Sequence, residues 1–596
     1  MYKHRNLIIL TIFFLIFLIT LTFWYIRLEI PIFQCDYLNN HLRYIEYSQI
    51  LQTDVKALLI KLINDIQSSP LSGVLNFPFY LLSLLYYSKS RFYYILQIEL
   101  LYMVPLIFLT IYFIYKKIIS YNKTFSLLNA TIITSIMFLP ALYFLSLRGM
   151  PYIGSIILLF IILLKFINQN FEEKIDIKNS VILGSLCYLT SLTSRCFLSF
   201  FVPIIISLFV FSVYRIIKNK KYKKQTTNLM INMFVVLISY VIWLLIWQFQ
   251  FFIDSVKLSF EVYQSYADFN IVKFFNAFVR QIGLITMFLF IFSIVISIFV
   301  KTKQRQNVLF LIFTIFTNLF LISTYSFVDH YTTPTIICIA IVNLYALSVL
   351  IDVLRRRAAT KIFIVPILLL YITYIVINFV NYINPNLNDK IINNKYLANS
   401  HGWVSTPSVF ENFNEFKEIY ETLWKLVSAD NVNSKISVYT CMDEVVSYWE
   451  LYGYSIYADG ELYKHFLPTR EYFNYEGYNI KELNSDYILF TEPVRGIMEE
   501  REDFLPMYLI VEAFKNKTSI SKSYTCVFNK EYKSELFTNW QSDKEYSIKV
   551  YIYKKVKNVS VNEVKELFEN ILLEVPEYRD IYENQLEEYR HYIEKI

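Results

Sequence analysis

Side chains able to do chemistry are few in this chain, and the first group of them is Pro31–Tyr47, PIFQCDYLNNHLRYIEY. Helical spacing from Asp36 stacks Asn40, Arg43 and Tyr47 on one face, with Glu46 beside them. An acid, an amide and a guanidinium on one face could bind a polar substrate or take a proton from it. The same pattern also suits a surface helix that Asp36 caps and water covers. Two arginines, Arg148 in SLRGMPY and Arg195 in TSLTSRCFLSF, sit in short turns between apolar runs. Arginine offers a planar fork of donors that fits phosphate oxygens and stays charged when partly dry. Its plainer use there is to reach lipid headgroups or to pair Asp36. A third turn, Phe327–Pro334 (FVDHYTTP), adds Asp329, His330 and Tyr331, whose imidazole could donate to a phosphate or relay a proton. A His–Tyr pair in an interfacial aromatic belt would look the same. Glu99 falls inside an apolar run, where a carboxylate needs a partner or water.

The elements that must position these groups are long and apolar. Of 596 residues, 56% are hydrophobic and only 18% charged, and the mean hydropathy is +0.40. That composition, with repeated apolar runs, predicts an α-helical polytopic membrane protein. The net charge of +7 does not point to nucleic acid, because Lys and Arg fall between the apolar runs. Asn6–Ile26, preceded by Lys3 and Arg5, reads as an anchor with a cytoplasmic N-terminus and no small-residue cleavage site. A first outer loop, 27–92, follows. Within it Asp54–Ile66 has the apolar stripe of an interfacial helix (Val55, Leu58, Leu59, Leu62, Ile66), and Asn76–Tyr87 is a short re-entrant or interfacial piece.

Further spans are expected near 93–115, 125–147, 152–168, 179–194, 196–217, 229–250, 280–300, 307–327, 334–352 and 361–381. The count is about eleven, which places the C-terminus across the membrane from the N-terminus. Basic residues agree at the expected cytoplasmic loops: Lys116, Lys117 and Lys123, then Lys174 and Lys178, then Arg215 and Lys218–Lys224. Lys301, Lys303 and Arg305 follow, then Arg355, Arg356, Arg357 and Lys361. Arg148 and Arg195 are the exceptions, in the short outer turns.

Residues 1–381 therefore form a transmembrane domain, and 382–596 a soluble, extracytoplasmic α/β domain. In the latter, Phe410–Asp430, Ser560–Leu573 and Pro576–Ile596 read as helices; Lys435–Thr440, Asp486–Thr491 and Tyr546–Tyr553 read as strands. No Gly-rich nucleotide loop occurs. Six cysteines without CxxC and six histidines without HExxH predict no protein-built metal cage, while a Cys441–Cys526 bridge stays open.

The acid in FQCDYLNN, the apolar NFPFYLLSLL, the turns LRGMPY and SRCF, and SFVDHYTTP before a late span together resemble a known family. It is the GT-C superfamily of polytopic glycosyltransferases, the family-39-like class of protein mannosyltransferases and aminoarabinose transferases. The resemblance covers 1–381 as an architecture. It implies a polyprenyl-phosphate sugar donor with its phosphate near Arg148 and Arg195. It also implies Asp36 as general base on a hydroxyl of a glycan, lipid or protein acceptor; Arg43, Glu99, His330 and Tyr331 are candidate substrate-binding residues by their own chemistry. Many members carry two adjacent acids, whereas Tyr37 follows Asp36 here. Asp36 is therefore left as either the base or a ligand of a divalent cation, and no other cofactor is implied. A lipid-linked oligosaccharide flippase or polymerase would explain the spans and rim arginines, but not the extended first loop. A secondary transporter should show inverted repeats with broken helices, which the sequence lacks.

Overall fold

The computed structural model describes residues 5–28, 35–68, 90–119, 126–147, 149, 153–169, 171–193, 198–219, 222–264, 271–323, 329–355, 361–383, 413–430, 433–440, 446–457, 461–467, 474, 477–494, 505–533 and 547–596. The chain divides into two compact units, Met1–Arg27 with Asn40–Pro407, and Leu28–Asn39 with Ser408–Ile596. Each is described by itself.

The first unit is helical. It begins with α1 (Arg5–Leu28), α2 (Cys35–Thr53) and α3 (Val55–Ser68). Asp54 accepts from the backbone N–H groups of Lys56 (2.8 Å) and Ala57 (3.1 Å), which starts α3 where the amphipathic stripe begins. One continuous span then runs through α4 (Arg91–Ile98), a π-helical turn (Glu99–Met103), α5 (Val104–Phe113) and a second π-turn (Ile114–Ile118). The rest are α6 (Ser126–Met137), α7 (Pro140–Leu147), α8 (Ile153–Asn168), α9 (Ile177–Thr193), α10 (Leu198–Asn219), α11 (Tyr222–Gln264), α12 (Ile271–Ile282), α13 (Leu284–Phe299), α14 (Arg305–Ile322), α15 (Asp329–Arg355) and α16 (Lys361–Ile383).

Among the described residues six helices are long and apolar enough to cross a membrane, or seven if the bent pair Leu127–Met137 and Ala141–Leu147 is one span. Ile12–Arg27, Ile153–Asn168 and Leu284–Phe299 are apolar but shorter. The expected span 125–147 is thus bent, the helix at 179–194 is not among these apolar helices, and two further expectations change. The run 280–300 is divided at Gly283, whose φ of 78° turns the chain between amphipathic α12 and apolar α13. The expected turn Phe327–Pro334 is helical from Asp329 onward, with an acid opening α15 and Pro334 in its second turn. The piece Asn76–Tyr87 lies outside the described residues.

Helix packing rests on aromatic contacts and on hydroxyl and amide groups that bond across helices, as suits an apolar surround. Phe138 meets Phe379 at 4.8 Å and Phe17 at 5.4 Å, joining α1, α16 and the α6–α7 bend. Ser293 donates to Asn343 (3.0 Å), Thr314 to Ser207 (2.9 Å) and Asn318 to Thr335 (2.6 Å). One close crossing is α9 on α11. A Cβ on Gly184 would lie 2.4 Å from the Val236 carbonyl oxygen, and Ser239 and Trp243 bond to Val181 and Ser185 beside it. Below this crossing Asn232 holds the 171–176 turn. Its Nδ2 donates to the carbonyls of Phe171 and Lys174 (2.8 Å each). Its Oδ1 accepts from the Asp176 N–H (2.8 Å) and the Ser180 hydroxyl (3.2 Å).

The second unit is a four-stranded mixed sheet in the order β1-β2-β4-β3. The strands are β1 (Ile436–Tyr439), β2 (Tyr487–Glu492), β3 (Tyr524–Lys533) and β4 (Ser547–Lys555), of which β1 and β2 are parallel and the others antiparallel. Period-two alternation sends Ile436, Val438, Tyr487 and Leu489 to one face, against α17 (Phe413–Ser428) and α18 (Tyr448–Tyr457). Ile488 and Phe490 go to the other face, against α19 (Leu505–Asn516), α20 (Val561–Glu574) and α21 (Arg579–Ile593). The strands expected at 435–440, 486–491 and 546–553 are β1, β2 and β4; β3 was not foreseen. A Ser560–Glu563 capping box starts α20. Burial pushes the Glu563 carboxyl up, but hydrogen bonds from Ser560, Lys557 and Ser523 outweigh it and hold it below its usual value. Cys526 is an exposed free thiol on β3, and Cys441 lies outside the described residues.

Candidate functional site

The helix α2 forms where the spacing of Asp36, Asn40, Arg43 and Tyr47 placed it. Asp36 is its second residue, in the segment grouped with the second unit. From Asn40 onward α2 belongs to the first unit. There His41, Tyr44, Tyr47 and Ser48 are buried, Asn40 and Arg43 half-buried, and Glu46 exposed. Glu46 is paired with Lys61 of α3 at 3.2 Å, and Lys61 also approaches Asp65 (3.6 Å) and the Tyr47 ring (5.4 Å). Burial raises the Asp65 carboxyl, Arg43 opposes that, and Glu46 adds to it. The acidic side of α2 is thus occupied in holding α3. Along α3 only Leu58 is buried, while Val55, Leu59, Ile60 and Ile63 remain exposed, as on a helix lying at an interface.

The other side of α2 meets the start of the α4 span. The His41 ring stacks on Tyr94 with centroids 4.7 Å apart and planes at 14°, and Tyr44 lies 5.0 Å from the same ring. Gln97 donates to the Tyr44 hydroxyl at 3.1 Å. Tyr94 donates in turn to the Gly149 carbonyl at 2.8 Å. Gly149 holds a φ of 77°, and a Cβ there would lie 2.7 Å from the Tyr94 ring. The residue after Arg148 therefore has to be glycine, both for the left-handed turn and for the ring above it. The chain His41–Tyr94–Gly149 ties three distant segments: α2, α4 and the turn after α7.

Arg91, at the start of α4, is buried. Burial and then the Arg91 charge push the His41 imidazole down to about 3, so it is neutral at ordinary pH. Neither Arg91 nor His41 was singled out from the sequence. Arg91 was set just ahead of the expected span 93–115, and His41 stood off the face chosen from Asp36.

Of the expected site residues, Arg43 is on α2 with its charge toward Asp65. Glu99 is buried in its span, where Thr22 of α1 donates to it. His330 and Tyr331 lie in the first turn of α15. Their side chains and that of Asp36, and all of Arg148 and Arg195, are outside the described residues. No family model and no curated protein matches this sequence. Among the described residues no group of three His, Cys, Asp or Glu side chains could hold a metal ion. What α2 and α4 do assemble is a wall of rings, His41, Tyr44 and Tyr94, with guanidinium groups at Arg43 and Arg91. These rings and Arg91 are buried, so the stack holds α2 against the α4 span.

Proposed function

We propose that this chain is a membrane glycosyltransferase that moves a sugar from a polyprenyl-phosphate donor to an acceptor hydroxyl on the extracytoplasmic side. In this reading it has about eleven spans, allowing tilted or shorter helices to count, with its N-terminus cytoplasmic. The soluble α/β unit is extracytoplasmic. Asp36 is the general base on the acceptor, a step that contributes about 10²–10⁴-fold. Arg148 and Arg195 neutralise the departing lipid phosphate, whose developing charge preorganised donors favour. Arg43, His330 and Tyr331 are assigned to substrate.

The observation that carries the reading is the tether from His41 through Tyr94 to Gly149. It fastens the turn that bears Arg148 to the polar helix that follows the first apolar helix. A purely anchoring arginine would not require a buried aromatic relay behind it. The test is to incubate purified protein with a panel of polyprenyl-phosphate sugars and follow release of free polyprenyl phosphate. Wild type should release it with one member of the panel, and Asp36→Asn should release it at least a hundredfold more slowly. Equal turnover by Asp36→Asn would remove that residue from the mechanism, and no release from any donor would reject the activity.

A further inference from the structure

Glu99 opens the π-turn Glu99–Met103 inside the Arg91–Ile118 span. Such a turn puts an extra residue into a helix, and π-turns are frequent at functional sites. The side chain is 1% exposed. Thr22 of α1 donates to Oε1, while Oε2 has no hydrogen-bond partner among the described residues. On α7 the buried Tyr143 hydroxyl also has no hydrogen-bond partner among the described residues, and it interacts electrostatically with Glu99. Thr22 stands six residues before Leu28 and Glu99 eight after Arg91. At about 1.5 Å per residue, both sit roughly 9–12 Å within their helices, at a common depth.

A bare carboxylate at that depth, out of water and without a counter-charge, is strongly disfavoured. Among the described residues no Lys, Arg or His pairs with it. The first charged residue along its own helix is Arg91, and Arg27 lies five residues beyond Thr22 on α1. On α8, Gly154 packs against the Tyr102 ring of the π-turn, with Lys165 eleven residues further on. Neither α5 nor α7 carries a charge. Tyr102 and Tyr143 are thus the titratable neighbours.

We propose that Glu99, with Thr22 and Tyr143, is a binding site for a small monovalent cation, a proton or a sodium ion, within the helical unit. One carboxyl flanked by hydroxyl groups matches a single positive charge, whereas a divalent ion takes several oxygen ligands and usually more than one acid. The site stands whether or not the chain transfers sugar.

Dicyclohexylcarbodiimide is an apolar reagent that adds to a carboxylic acid but not to a carboxylate or one holding a metal ion. Purified full-length protein in detergent is treated with it, and the adduct is located by peptide mass. An adduct on Glu99 is expected in sodium-free buffer at acid to neutral pH. Its loss on raising pH alone identifies a proton site, and its loss on adding sodium at fixed pH identifies a sodium site. An adduct insensitive to both would overturn the proposal. So would its absence from native protein when the same protein unfolded in dodecyl sulfate is labelled there. Thr22→Val should shift the pH or sodium midpoint of labelling, and an unmoved midpoint would exclude Thr22 from the site.

Discussion

Tyr94→Phe is the sharpest probe of the tether between α2 and the Arg148 turn. The substitution keeps the ring that stacks on His41 and deletes only the hydroxyl that donates to the Gly149 carbonyl at 2.8 Å. Tyr94 is 4% exposed, so water does not readily replace the lost donor. Leaving a buried acceptor without its donor costs about 1–3 kcal/mol. Gly149→Ala attacks the same contact from the other side. It places a side chain at φ 77° and a Cβ 2.7 Å from the Tyr94 ring, where left-handed backbone alone costs about 1–2 kcal/mol. Because both changes spend one contact, the double variant should lose less than the sum of the two. The measurements are the apparent melting midpoint in detergent at one scan rate and the affinity for a polyprenyl phosphate. Tyr94→Phe should lower the midpoint and weaken the lipid phosphate by about 5- to 150-fold, the equivalent of 1–3 kcal/mol. A variant that melts and binds like wild type would refute the tether as a positioning device.

Other outcomes follow from the same structure. His41 is held neutral with a pKa of about 3 against 6.5 in the unfolded chain. Its contribution is therefore complete above pH 6.5 and is lost as pH falls toward 3, with about 2 kcal/mol gone by pH 5. His41→Phe should melt with correspondingly less acid sensitivity over that window, and an unchanged pH profile would count against it. Gly184→Ala should destabilise the helical unit, because a clash 2.4 Å from a backbone carbonyl cannot relax cheaply. An overpacking cost of about 1–3 kcal/mol exceeds the gain of about 1 kcal/mol from helix propensity. A rise in melting midpoint would show that α9 and α11 stand farther apart.

Much of the helical architecture could be read from apolar runs, since a span needs little beyond length and hydropathy. The helix at α2 and the Asp54 start of α3 were equally plain from polar spacing. β3 was hidden for a physical reason. Its register shifts between Cys526 and Phe528, so YTCVFNKEYK does not alternate cleanly along its length. The helix α18, YWELYGYSIY, combines a glycine with β-branched and aromatic residues, so packing rather than propensity decides it. FVDHYTTP reads as a turn between two apolar runs, whereas the helix starts at Asp329 and carries Pro334 inside it at the cost of one backbone hydrogen bond. At the site, the face chosen from Asp36 pointed to Arg43 and Tyr47. The contact that organises α2 is made by His41 on Tyr94, 53 residues away, and Tyr94 in turn holds Gly149, 55 residues further on; no local pattern encodes that.

Asn232 carries a consequence for how the 171–180 segment can vary. All four hydrogen-bonding valences of its amide are used, two donated and two accepted, at a position 0% exposed. No other coded side chain of that length supplies both halves. Aspartate would turn two lone pairs toward two carbonyl oxygens, leucine would orphan all four groups, and glutamine would overshoot by a methylene. The segment is thereby locked to one length and one spelling at its anchor.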